Sequence, residues 1–417
     1  MRSKCLSAGS LVVTGLLVVA CSASAATVSP ASTSVAPANS SGASAAATSV
    51  ATPAKPFKIG VEAIYSGSLA SVGTAWTNGF QMYLDSVSNT AGGRSLQVVK
   101  EDELGTTQGA LAKATKLVEQ DNVDILTGVT SSADALVVRD YIVGKGTTPL
   151  IVGVGSTNAL VTGGKASPLV FRGSVNTNSE ADPLGAWSVK NIGKTAVIAC
   201  SDTTQGHDFA TVFAAGFTAA GGTVKAQIFS PSGTNDYQPY LTQISGAAPD
   251  MVFSSYNGTD ALNFVKQFAQ FGLNKTIKIV SVGSLVSADI LPQEGAAAAG
   301  IYTDDMWTAS LTNAANVKFL ADYKAKYNAD APVYAVYGYD DAQMIVAALN
   351  AVHGDTSDLK TFETALGNVD FASPRGDFKL APNHDVIQNF YIMQVDNSAG
   401  APALKVIDTI PNVVPAQ

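Results

Sequence analysis

From residue 57 onward the apolar positions of this chain switch repeatedly between a period of two and a period of about 3.6, so strand patterns and helix patterns take turns. Residues 58–65 are strand-like, and the helix that follows carries Trp76, Phe80, Tyr83, Leu84 and Val87 on one side. A strand at 96–99, a helix at 108–119, a strand at 123–127, a helix from Ser132 with Ala135, Val138 and Ile142 in register, and a strand at 149–154 complete a first series. The pattern pauses around 170–173 and restarts. Strands are expected at 195–199, 224–229, 251–255 and 278–282, with helices at 207–220, 237–245 and 261–271 between them. Three further helices (317–327, 334–352 and 359–366) precede two late strands at 389–395 and 404–410.

Two βαβα series in one chain predict an α/β protein with two doubly wound parallel-sheet lobes. The late strands imply that the chain crosses between lobes more than once. Crossings near 173–178, 300–305 and 376–383 assign 57–175 with 305–377 to lobe 1, and 176–304 with 378–413 to lobe 2. In open α/β sheets ligands bind beyond the carboxyl ends of the strands, so two such ends facing each other enclose a cleft.

The first 56 residues follow another logic. Arg2 and Lys4 precede the apolar run from Leu11 to Ala20, which is too short for a stable membrane span, and Val18, Val19, Ala20 and Cys21 resemble the lipobox of bacterial lipoproteins. Residues 1–20 are therefore expected to be a signal peptide, with Cys21 lipidated after cleavage. An ordinary secretory signal cut at a later site around 23–26 is the alternative, and either way the mature protein is exported. Residues 21–56 are Ser, Ala, Thr, Val and Pro with almost no charge, a composition that buries no core and suits a disordered tether of about 30 Å.

Charged residues make up 14% of the chain and the formal net charge is −8, so no clustered Lys and Arg suggest a nucleic-acid partner. Apart from Cys5 in the signal and Cys21, the only thiol is Cys200, within a strand pattern, which reads as a small buried hydrophobe. His207, His353 and His384 have no metal-ligand spacing, and the segment from Gly153 to Asn158 lacks the third glycine of a dinucleotide fingerprint. No cofactor, metal or catalytic residue is expected.

The candidate chemistry lies instead in hydroxyl-rich turns. Thr130, Ser131 and Ser132 surround a helix N-terminus, where unpaired backbone N–H groups favour an anion. With no Lys or Arg in the turn and no phosphate-loop glycines, a single carboxylate fits better than a polyphosphate.

Several short motifs, in order and spacing, resemble the type I solute-binding proteins of ABC importers, in the branch similar to leucine/isoleucine/valine-binding proteins. They are Lys58 to Val61 with Ser66, Gly67 and Gly73; Asn78 to Phe80; Gly128 to Ala133; Gly155 to Asn158; Val170 to Arg172; Phe268 to Gly272; Tyr337 to Gln343; Ser373 to Gly376; and Asn383, His384 and Gln388 to Ile392. The resemblance implies a carboxylate grip by Ser131 and Ser132 together with Gly155, Ser156 and Thr157. It also implies second-lobe contacts at Gln205, Tyr256 and Asn257. Departures from the family pattern are informative: Val72 and Gln205 stand at aromatic positions, and Gly283 and Ser284 supply no acid for a ligand ammonium. The expected ligand is accordingly a small organic or aromatic acid, with a branched-chain amino acid next, unless Asp202, Asp260 or Asp304 replaces the missing acid. Expected partners are an ABC permease and ATPase complex and, through the lipid anchor alone, the cell membrane, with the body a monomer. A ligand-sensing surface lipoprotein is the alternative function, and a lipoprotein serine hydrolase a weaker one. Tyr337, Tyr339 and Arg375 are expected to be structural.

Overall fold

A computed structural model of the protein describes residues 55–162 and 164–415. The expected signal segment, Cys21 and nearly all of the expected tether lie outside the described residues. The first series runs β1 (Phe57–Ala63), α1 (Ala70–Ser86), β2 (Thr90–Ala91), β3 (Arg94–Asp102), α2 (Thr107–Thr115), β4 (Ile125–Gly128), α3 (Ser132–Lys145), β5 (Leu150–Val152) and β6 (Val170–Arg172). Its sheet has the order β2-β3-β1-β4-β5-β6, parallel throughout except where the short β2 meets β3.

The second series is α4 (Thr177–Asn191), β7 (Thr195–Ser201), α5 (Thr204–Ala219), β8 (Thr223–Ser230), α6 (Gln238–Ala247), β9 (Met251–Ser255), α7 (Gly258–Gln270), β10 (Lys278–Val282), α8 (Leu291–Glu294) and β11 (Tyr302–Asp305). Then come α9 (Ala314–Tyr327), α10 (Val333–Ala351), α11 (Leu359–Gly367), β12 (Asp370–Ser373), β13 (Gly376–Leu380), β14 (Val386–Asp396) and β15 (Ala403–Val413). The second sheet is ordered β12-β13-β14-β11-β10-β9-β7-β8, with β15 also on β14. It is parallel from β8 to β11 and antiparallel beyond β11.

Alternation along single strands explains why both sheets are covered on both faces. In β5, Ile151 joins the apolar cluster of α1 and α10, whereas Leu150 and Val152 join that of α2 and α3. Likewise in β7, Val197 and Ala199 pack with α6 and α7, while Ala196, Ile198 and Cys200 pack with α4 and α5. Cys200 is fully buried, and that burial pushes its thiol up to about 12.

Helices α1 and α10 cross on the first sheet at two glycines. A Cβ on Gly79 would lie 1.8 Å from the Ala335 carbonyl oxygen, and one on Gly338 would lie 1.9 Å from that of Trp76. Next to this crossing, buried Arg375 donates from Nε to Asp340 Oδ2 at 2.7 Å and from its terminal nitrogens to Gln388 Oε1 at 2.9 Å and the Gly173 carbonyl at 2.5 Å. The residue thus ties α10, β14 and the segment after β6, the structural part expected of it.

Several elements were not expected, among them the short β2, β6, α8 and β11 and two larger features. Helix α4 has a buried face that includes Thr177, Ser179, Glu180 and Ser188 and an internal Pro183, so its apolar stripe is interrupted. The β12–β13 hairpin turns at Pro374 and Arg375 and extends the second sheet, which corrects both the expected placement of 370–377 in lobe 1 and the expected crossing at 376–383.

Candidate functional site

The turn between β4 and α3 is built under constraint. Gly128 has φ 102° and Val129 φ 57°, a left-handed conformation that a β-branched residue rarely adopts. Val129 N donates to the Glu62 carbonyl at 2.6 Å, Thr130 N donates to Glu103 Oε1 at 2.6 Å, and Thr130 Oγ1 accepts from Ile64 N at 2.9 Å. At the helix entrance Ser131 Oγ accepts from Asp134 N at 3.3 Å. Ser132 Oγ accepts from the backbone N–H groups of Ser156 at 3.1 Å and Thr157 at 3.2 Å, pinning the turn after β5 to the one after β4. A hydroxyl that accepts in this way keeps its own proton to donate. Fully buried Arg172 holds the same second turn from behind. It pairs with Asp385 at 2.7 Å and donates to the carbonyls of Gly155 at 3.2 Å and Thr157 at 2.8 Å.

These turns back onto a cavity of about 590 Å3 between the strand ends of the two sheets. From the first lobe it is lined by Ile64, Leu69, Val72, Leu104 and Thr130 to Ala133, and from the second by Ser201 to Gln205, Ser232, Asn257 and Asp260. No Lys or Arg is among its lining residues. Any anion held here must be met by hydroxyls, amides and the N-terminal end of the 14-residue α3. Two hydrogen bonds cross the cleft, from Gln205 Nε2 to Ser156 Oγ at 3.1 Å and from the Tyr334 hydroxyl to Asn257 Oδ1 at 3.2 Å. Within the second lobe Asn257 Nδ2 donates to Gln205 Oε1 at 3.1 Å and closes the chain.

The expected site residues therefore separate into groups. Ser131, Ser132, Gln205 and Asn257 line the cavity. Gly155, Ser156 and Thr157 are not among its lining residues. Their turn stands behind Ser132, and Thr157 Oγ1 is engaged by Ala159 N at 3.3 Å. Tyr256 departs most from expectation. Its ring is fully buried in the second-lobe core against Tyr237 and Phe264, with its hydroxyl accepting from Ser230 Oγ at 3.3 Å. Of the acids considered as replacements, Asp202 pairs with His207 at 2.8 Å and Asp260 accepts from Gly233 N at 2.9 Å. Asp304 is fully buried within the second sheet.

Acids are the second feature of the site. Beneath the first turn, burial raises Glu62 to about 9, with Asp134 and Glu101 adding to it; Glu103 and Asp134 are also raised, again chiefly by burial. A small annex of about 30 Å3 adjoins the main cavity, sharing Val154, Gln205, Asn257 and Tyr334 with it, and is lined by Glu180 and Asp305. Neither acid was singled out in the sequence. Glu180 sits on α4, the helix that the apolar pattern conceals, and Asp305 on β11, a short strand that the pattern did not announce.

A cleft between two doubly wound lobes, floored by a hydroxyl turn, is the architecture of a small-molecule-binding protein. Residues 56–401 match the family described as periplasmic binding protein, and the chain belongs to it. That is a family of solute-binding proteins rather than an enzyme class, and its members work outside the cytoplasm. Among curated relatives, a Leu/Ile/Val-binding protein homolog 6 of Brucella melitensis is 29% identical over 81% of this chain and 87% of its own length. The fold is similar to a solute-binding protein of an ABC transporter from R. palustris solved in complex with benzoate, at 30% identity and a TM-score of 0.81, covering 87% of this chain and 98% of that one. A solute-binding protein from Rhodopseudomonas palustris BisB5, in complex with 3,4-dihydroxybenzoic acid, is 28% identical with a TM-score of 0.81, covering 86% and 98%. Among the described residues no helix is long and apolar enough to cross a membrane.

Proposed function

We propose that this chain is the extracytoplasmic solute-binding lipoprotein of an ABC importer, carrying a small carboxylate-bearing ligand to a permease and ATPase complex while Cys21 anchors it by lipid alone. The observation that carries the reading is the cavity of about 590 Å3, lined from both lobes and floored by a hydroxyl turn at a helix N-terminus with no Lys or Arg in its lining. Ser131 and Ser132 donate hydroxyl protons to the carboxylate, Gln205 and Asn257 contact the ligand from the second lobe, and Gly155, Ser156 and Thr157 support the grip from behind. The crossings at 173–178 and 300–305, with a third between α11 and β12, act as the hinge between 57–175 with 305–369 and 176–304 with 370–413, and the ligand stabilises the closed arrangement by touching both lobes. Ligands named for the relatives, benzoates and Leu/Ile/Val, all bear one carboxylate, which supports that common feature.

Calorimetry with benzoate, leucine, isoleucine and valine against their carboxamides tests the reading. The acids should bind and the amides fail, with no turnover of any hit; equal binding of acid and amide removes the carboxylate assignment. For the anchor, Cys21→Ser should release the protein from the membrane fraction or leave an unprocessed precursor, and unchanged fractionation rules the lipid out.

A further inference from the structure

Three acids lie behind the hydroxyl turn, and none of them is among the residues that line the cavity. Glu62 is on β1, Glu103 follows β3 and Asp134 stands in the first turn of α3, all buried. Hydrogen bonds tie them to the lining: Glu103 Oε1 accepts from Thr130 N at 2.6 Å, and Asp134 N donates to Ser131 Oγ at 3.3 Å. Both oxygens of Glu62, Oε2 of Glu103 and Oδ2 of Asp134 meet no donor among the described residues. The carboxyls of Glu103 and Asp134 are within hydrogen-bonding reach of each other, a contact that two ionised groups cannot make, so the pair holds a proton. Neighbouring charges are committed elsewhere. Lys113 on α2, whose charge favours the ionised form of Glu62, pairs with Glu101 at 2.7 Å, as does Lys116 at 2.6 Å. Asp102 accepts from the amides of Tyr65 at 3.1 Å and Leu104 at 2.9 Å, the Tyr65 hydroxyl meets Thr77 at 2.8 Å, and Arg139 on α3 pairs with Asp140 at 2.8 Å. Residues 125–133, β4 and the turn itself, carry no acidic or basic side chain.

We propose that an anionic ligand and a proton bind this protein together: the cluster of Glu62, Glu103 and Asp134 takes up protons when the ligand carboxylate settles in front of it, and the ligand leaves as the cluster ionises. This deepens the carboxylate reading and rests on it. An anion held by neutral donors with no base nearby tolerates no further negative charge behind it, and a buried acid without a donor has only its proton to neutralise it. Burial, with Asp134 and Glu101 adding to it, raises Glu62 to about 9, and burial raises Glu103 and Asp134 as well, so the cluster is neutral enough at pH 7 to accept an anion. A ligand that favours the protonated cluster binds with constant affinity below the pKa of the unliganded form and loses affinity as pH rises through it. Where the ligand charge makes the Glu62 proton about tenfold harder to remove, the wild type loses about threefold in affinity at pH 9.5 and takes up about half a proton per ligand there, with neither effect at pH 7.

The test is calorimetry on the full chain at pH 7 and pH 9.5 with benzoate, leucine, isoleucine and valine. Dividing the affinity of Glu62→Gln by that of the wild type cancels any titration of the ligand itself. The ratio should stay within about twofold of one at pH 7 and rise to about three- to tenfold at pH 9.5. Binding enthalpies in two buffers of different ionisation enthalpy should show the wild type taking up about half a proton more than the variant at pH 9.5 and no more than the variant at pH 7. Glu103→Gln, whose amide can accept from Thr130 N and donate to Asp134, should reproduce the gain at pH 9.5 and carries the test alone if Glu62→Gln does not fold. Thermal melts at both pH values establish folding; a structural role alone moves the melts and leaves the proton count unchanged. A bound ligand with a ratio of one at both pH values, or with the same gain at both, overturns the proton linkage and leaves the carboxylate reading standing. If none of the four acids binds at either pH, both readings fall.

Discussion

Ser132→Ala separates a ligand contact from a structural clamp, because the structure gives this hydroxyl both tasks. Its oxygen accepts from two backbone N–H groups, those of Ser156 and Thr157, in residues that are fully buried. Leaving a buried donor unpaired costs roughly 1–3 kcal/mol, so two donors that lose one shared acceptor cost about 2–4 kcal/mol in total. With an unfolding entropy of about 2.1 cal/mol/K per residue, that loss lowers the melting temperature of a body this large by about 3–5 °C. Differential scanning calorimetry of the unliganded protein reads this directly. Ser131→Ala is the control: it removes one helix cap, worth about 1 kcal/mol, and should move the melt by about a third as much. Both variants should weaken a carboxylate ligand by roughly one to two powers of ten, through the lost donor proton. A Ser132→Ala protein that melts with the wild type would refute the clamp and make Ser132 a ligand contact alone.

The crossing of α1 and α10 has no room for a methyl group, so Gly338→Ala should force the helices apart and cost about 1–3 kcal/mol or more in calorimetry. Gly144→Ala, where a Cβ meets nothing within 4 Å, should instead stabilise the protein by about 0.5–1 kcal/mol. Buried acids set the pH dependence. Glu62 at about 9, Glu294 at about 8 and Asp305 at about 7 all hold protons in the folded state more tightly than in the unfolded chain. Their stabilising contribution is complete below the ordinary carboxylate range and is lost as pH rises through those values, so the protein should melt higher at pH 5.5 than at pH 8.5. Glu62→Gln should flatten that slope; an unchanged slope would mean that the carboxyl titrates normally.

The legible part of this protein was what periodicity and turn chemistry encode. Strands with apolar residues on both faces and helices with continuous stripes were readable, as were α9, α10 and α11 to within a few residues. So was the hydroxyl turn, because a helix N-terminus after a strand end declares itself through Ser131 and Ser132. What stayed hidden depends on residues far apart in sequence. Arg172 and Asp385 are 213 positions apart, yet together they hold the turn from Gly155 to Thr157. Tyr256 follows a strand end, as a ligand aromatic would, but its ring turns into a core of Tyr237 and Phe264 that no local signal reveals. Glu180 and Asp305 come together only because α4 and β11 pack side by side around a residue, Gly283, that has no side chain.

The cross-cleft hydrogen bonds bear on how the protein closes. Gln205 to Ser156 and Tyr334 to Asn257 join the lobes through side chains of the protein itself, so part of the closing free energy is independent of ligand. Each such bond contributes roughly 0.5–1.5 kcal/mol, which corresponds to about a two- to tenfold change in the ratio of closed to open forms. A ligand that prefers the closed form loses affinity by up to the same factor when one bond is removed. Ser156→Ala is the informative change, since Ser156 does not line the cavity and its hydroxyl accepts from Gln205 across the cleft. Small-angle X-ray scattering should then report a larger radius of gyration for the unliganded variant than for the wild type, converging when ligand saturates both. A variant that binds more weakly with identical unliganded scattering would refute the bridge as a closing element, because the energy would then have been lost at the binding turn itself.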